Sequence, residues 1–132
     1  MILLYACPSE VKYVDYNYKM TIGLRAKWLP YCIENIKGAN HVVLFGCSGW
    51  QASRSQAQLN KLYKWDGYPL VDMESEKVEK ICRELGVKFT SIRYIIDFDR
   101  GKLLPFLFNG IARWYQHRRM QKKFNKYLEN LK

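Results

Sequence analysis

Three stretches of strand length restrict this chain more than anything else in it. Ile2 to Ala6 and His41 to Phe45 are continuous apolar runs, and Val87 to Ile96 is a third strand of the buried type, ending at Asp97. A strand that is apolar on both sides must be covered on both sides, which parallel sheets achieve by placing helices on their two faces. A helix pattern stands in the right place. From Glu74 to Leu85 the residues Val78, Ile81, Cys82 and Leu85 follow the i, i+3, i+4, i+7 rule, and Gly86 supplies the stop. The expected fold class is α/β, a three-layer α/β/α arrangement with a small, mostly parallel or mixed sheet. With 132 residues there is room for one core and not for two independent domains.

The remaining segments fill in this frame. Val11 to Tyr13 and Tyr18 to Leu24 flank polar Asp15 to Asn17 and read as a hairpin or strand pair. Pro30, apolar Leu29, Ile33 and Ile36, and Gly38 describe a short amphipathic helix. His41 to Phe45 leads into Gly46 to Gly49, read as a small-residue loop of the kind that meets ligands at the carboxyl end of a parallel strand. Ala52 to Trp65, with Leu59, Leu62 and Tyr63, has mixed spacing consistent with a helix, and Tyr68 to Met73 reads as a short strand.

Charge divides the chain unevenly. Of 22 basic residues, nine fall after residue 99, facing Glu129 alone, so most of the net charge of +10 belongs to the tail. The expected division is an α/β domain over 1–102 and a basic, aromatic, helical tail over 103–132, packed on the domain or on a partner. Leu104, Leu107, Ile111, Trp114, Phe124, Leu128 and Leu131 form its apolar stripe. Cys7, Cys32, Cys47 and Cys82 are far apart with no CxxC pair, which suits reduced, buried thiols in a cytoplasmic protein. No metal-ligand cluster stands out. Met1 to Ala6 is too short for a signal peptide and no stretch reaches the length of a membrane span, which argues against export and integral insertion.

Two acids close predicted strands. Taken alone, Glu74 reads as a first-turn glutamate favoured by the helix dipole, and Asp97 as a loop or cap residue. Their surroundings carry more. Val71, Asp72, Met73, Glu74 and Ser75, followed by Cys82, Leu85, Gly86, Val87, Phe89, Ile92, Arg93 and Asp97, resemble the signature of the superfamily of purine nucleoside phosphorylases and methylthioadenosine/S-adenosylhomocysteine nucleosidases. That resemblance implies a phosphorylase/hydrolase-like fold. It also implies that Glu74 accepts hydrogen bonds from a ribose diol, that Met73 lies beneath the sugar, and that Asp97 protonates a purine ring nitrogen as the base departs. Leu4 to Val11 resembles the first strand and loop of the superfamily, placing Glu10 where the nucleosidases carry the glutamate that activates water. Gly46 to Gly49 resembles the glycine loop after the central strand, placing Cys47 and Ser48 beside the ribose.

Departures accompany the match. Ile96 stands where the nucleosidases usually have serine, and only Trp50 to Leu70 separate the glycine segment from Met73 and Glu74, a strong shortening. Arg25, Arg54 and Arg93 are candidates for a phosphate site by charge alone. The leucine-rich and arginine-rich region after Asp97 resembles the C-terminus of hopanoid-associated phosphorylase-like proteins, implying peripheral contact with an anionic membrane. No nucleic-acid-binding signature is present. Three functions therefore stand as expectations. The first is cleavage of a purine-type nucleoside, with water or inorganic phosphate as co-substrate and no other cofactor. The second is nucleoside binding without catalysis after loss of the base pocket, and the third is membrane association through the tail. Homo-oligomers are common in the superfamily, so self-association is expected as well.

Overall fold

The computed structural model describes residues 1–50, 61–64, 70–72, 74–98 and 110–131, with backbone only at 49, 50, 70, 71, 96–98 and 110–113. Six strands form one sheet: β1 (Ile2–Tyr5), β2 (Lys19–Thr21), β3 (His41–Trp50), β4 (Leu62–Lys64), β5 (Leu70–Val71) and β6 (Lys88–Phe98). The order is β2-β1-β3-β6-β4, with β5 added to the far end of β3. The pairs β1–β2, β1–β3 and β3–β6 are parallel, whereas β4 runs antiparallel to β6 and β5 antiparallel to β3. Helices α1 (Ile33–Lys37) and α2 (Ser75–Leu85) cover one face, and α3 (Gly110–Leu131) covers the other. The three-layer α/β/α expectation is met, with a mixed sheet and a C-terminal helix.

Strand alternation assigns side chains to the two layers. Ile2, Leu4, Val42 and Leu44 meet Ile36, Val78 and Cys82 on the side of α1 and α2. Leu3, Val43, Phe45, Ile92 and Tyr94 meet Met120, Phe124 and Leu128 of α3. Phe45 and Phe124 stack with centroids 3.8 Å apart and planes 9° apart, a contact worth about 0.5–1.5 kcal/mol beyond burial alone. Phe124 and Leu128 of the expected stripe are thus committed to the sheet, whereas Trp114 and Leu131 are exposed; Leu104, Leu107 and the side chain of Ile111 lie outside the described residues. At the end of α2, Gly86 takes the left-handed conformation (φ +69°) and the Val87 N–H returns to the Cys82 carbonyl at 2.9 Å.

Four local expectations are corrected. Val11 to Tyr13 is a turn following a 3₁₀ turn at Pro8–Glu10, and β2 joins β1 in parallel, so there is no hairpin. Val11 and Val14 owe their apolar character to the α3-side core. Gly46 to Gly49 is strand rather than loop, because β6 offers backbone partners along its whole length, with a bulge where Ser48 faces Ile95 and Gly49 faces Asp97. Asp97 consequently lies within β6 and not beyond it. Leu62 to Lys64 is strand rather than helix, since the open edge of β6 takes it as β4; residues 52–60 and 65 of that expected helix lie outside the described residues.

Candidate active site

The carboxyl ends of β1, β3 and β6 lie side by side, and ligands of open α/β sheets bind at such an edge. β1 stops at Tyr5 while β3 continues, so backbone donors beyond Leu44 lose their strand neighbour. Glu10 replaces it. Its Oε2 accepts the Cys47 N–H at 2.8 Å, and its Oε1 accepts the N–H groups of Cys7 at 2.9 Å and Ala6 at 3.2 Å. The side chain is a carboxylate surrogate for the missing piece of sheet, and the residue is only 5% exposed.

Gly46 lies against both this carboxylate and the Arg93 guanidinium. A Cβ there would collide with the Glu10 carboxyl and the Arg93 guanidinium. Both ends are buried and held, so neither can yield cheaply. Gly46→Ala is expected to lose about 1–3 kcal/mol in a urea melt, and an unchanged midpoint would show that the crowding is relieved by simple rotation.

Arg93 enters from β6 with 1% exposure and engages Asp72 as a fork, Nε to Oδ2 at 2.9 Å and Nη2 to Oδ1 at 2.5 Å. Ser75 donates to Asp72 Oδ2 and meets Ser91 Oγ at 2.8 Å. Burial pushes the Asp72 carboxyl up, but the guanidinium, the Ser75 hydroxyl and the Glu74 N–H outweigh it and hold it below the usual range. Glu74, capping α2 and 5% exposed, is left with the remainder of the cation: its Oε2 is 3.9 Å from Arg93 Nη2. Burial raises it, Arg93 only partly offsets this, and Asp72 and Glu10 add repulsion, so its pKa rises to about 7. One arginine is shared unequally by two carboxylates.

Cys7 and Cys47 register the same gathering of charge. Burial raises both thiols, and Glu10 pushes both further, joined by Glu74 at Cys7. Neither thiol is a nucleophile at neutral pH. Ser48 is 4% exposed and its Oγ has no hydrogen-bond partner among the described residues, a hydroxyl left open beside the cluster. Glu10, Cys47, Ser48, Glu74 and Arg93 are therefore brought to one edge. Asp97 reaches the same edge through its pairing with Gly49, with its side chain outside the described residues. Met73 and Arg54 lie outside them entirely. Arg25 sits on an exposed turn with φ +57°, where Lys77 Nζ donates to its carbonyl at 2.7 Å, away from the cluster's hydrogen bonds.

Asp72 has no role by local spacing alone, and the signal for it lies in Arg93. A lone arginine in an otherwise buried strand demands a partner, and an acid two positions before Glu74 was available.

No protein-family model matches the sequence, and neither does any curated protein. Solved structures do match. An aspartate-to-asparagine variant of an MTAN from Chlamydia trachomatis bound to MTA superposes with TM-score 0.65 at 13% identity, over 91% of this chain and 93% of that one. A second structure of that variant gives TM-score 0.68 at 15% identity, covering 97% of each chain. These superpositions, over more than nine-tenths of each chain, show that this chain shares the fold of those MTAN structures.

Proposed function

We propose that the protein hydrolyses the N-glycosidic bond of a purine-type nucleoside. The observation that carries this reading is the meeting of Glu10, Ser48 and Glu74 at one sheet edge, in a fold shared with an MTAN. Ionised Glu74 accepts hydrogen bonds from the two ribose hydroxyls, with Ser48 Oγ open to a third polar contact. Asp97 protonates a ring nitrogen of the base as the bond to the anomeric carbon breaks. Glu10 takes a proton from the water whose oxygen bonds to that carbon. Water is favoured over phosphate because Arg93, the buried cation of the cluster, is already engaged by Asp72.

A second reading has an observation of its own. Both oxygens of the Glu10 carboxylate are already engaged by three backbone N–H groups, a structural duty that favours a nucleoside-binding protein without turnover. Base release from adenosine and MTA, followed by chromatography with and without phosphate, separates the two. Phosphate-independent release is expected, lowered roughly 10–100-fold by Glu74→Gln through loss of charged hydrogen bonds and at least about 100-fold by Asp97→Asn. Binding by calorimetry without release selects the second reading, and absence of both overturns the pair.

A further inference from the structure

We propose that α3 is the positioning element of this edge, acting through Gln121 on the segment that carries Glu10. Gln121 is fully buried on the inner side of α3, beside Met120 and Phe124. An amide in such surroundings is costly unless both ends are bonded, and both are used by one segment. Its Oε1 accepts the Tyr13 N–H at 2.7 Å, and its Nε2 donates to the Ser9 carbonyl at 2.7 Å. Ser9 immediately precedes Glu10 and Tyr13 follows three residues later, so one side chain grips the segment on both sides of the carboxylate.

The grip is extended one turn along the helix. Asn125 Nδ2 donates to the Tyr13 carbonyl at 2.9 Å and its Oδ1 accepts the Asp15 N–H at 3.0 Å, while Trp114 Nε1 donates to the Tyr13 hydroxyl at 2.7 Å. By contrast, the backbone bonds within the segment are local: Glu10 N–H to Cys7, Val11 N–H to Pro8, and Val14 N–H to Val11. Such 3₁₀ and turn bonds do not fix a carboxylate against a strand by themselves. The same inner face of α3 is bound to that strand, since Phe124, one turn after Gln121, stacks on Phe45 two residues before Cys47. Helix, segment and β3 thus form one rigid unit, and Gln121 sets where Glu10 meets the Cys47 N–H.

The relevance of this device to chemistry rests on Glu10 belonging to the proposed site, but its test does not need turnover. Amide hydrogen exchange of the 132-residue chain, followed residue by residue by NMR, reads the Glu10 contacts directly. In Gln121→Met the Cys7 and Cys47 amides are expected to exchange at least about tenfold faster, while Val43 and Leu44 in the same strand change only as global stability changes. Gln121→Glu, which keeps an acceptor for Tyr13, should restore part of the protection. Equal protection in Gln121→Met and the natural chain overturns the proposal. Should that variant fail to fold, Asn125→Ala must give the same selective acceleration, several-fold, or the proposal falls. Where base release is measurable, Gln121→Met lowers kcat with KM held within about twofold, because Glu10 acts on water and not on nucleoside binding. Failed exchange and failed turnover therefore point to different errors.

Discussion

Replacing Asp72 by asparagine is expected to destabilise the protein by about 3 kcal/mol, a sizeable part of the roughly 5–15 kcal/mol that a domain of this kind has to lose. Arg93 is 1% exposed and its guanidinium fork is matched by the two oxygens of a carboxylate that is itself 1% exposed. An amide of the same shape offers one acceptor and turns a donor toward the cation. The usual penalty for breaking a buried pair is about 3–5 kcal/mol, and the lower end applies here because Glu74 stands 3.9 Å away, ready to take over as counterion. That compensation has its own signature. In Asp72→Asn the carboxyl of Glu74 becomes the sole acidic partner of Arg93 among the described residues, so its pKa should fall well below the value of about 7 that it has beside Asp72. Adding Glu74→Gln should then cost more than the two single changes together, by about 1 kcal/mol or more. Urea unfolding of the four proteins at neutral pH measures this, and additive behaviour would show that the two acids do not share the arginine.

Glu74→Gln on its own should do the opposite at neutral and alkaline pH, stabilising the protein by roughly 2–3 kcal/mol above pH 7. The sign follows from the pKa of about 7 in the folded chain against 4.5 for the free side chain. Between those values the folded protein holds a proton that the unfolded chain releases, so its stability declines as pH rises through this window. Below about 4.5 both states are protonated and the difference vanishes. Gln carries no charge at any pH and escapes the decline, so the advantage of the variant should be absent near pH 4, grow through neutrality and level off near pH 8. Thermal melts of both proteins across this range check it; a constant difference at all pH values would mean that the carboxyl is not strained. The proposed function gives the strain a purpose. A carboxylate relieved by two ribose hydroxyls binds its ligand with the free energy that the empty site withholds, so nucleoside affinity should rise with pH over the same window.

Much of this architecture can be read along the chain, and the readable parts share a cause. The apolar runs of β1 and the start of β3, the periodicity of Val78, Ile81, Cys82 and Leu85, and the stop at Gly86 each express a rule that acts within a few residues. Burial on both faces makes a strand continuous, burial on one face makes a helix periodic, and the lack of a Cβ permits φ +69°. Glu10 and Glu74 stand out in the sequence only through the resemblance carried by the residues around them. Folding in three dimensions settled everything that depends on a distant partner. Gly46 to Gly49 became strand because β6 lay alongside, and Leu62 to Lys64 became strand because the far edge of β6 was open. Arg93 turned to Asp72, 21 positions earlier, and Gln121 to Ser9, 112 positions earlier. Local spacing holds no record of such pairings: hydrogen bonds and ion pairs are decided by which groups are left without water when the layers close, and that is known only once they have closed.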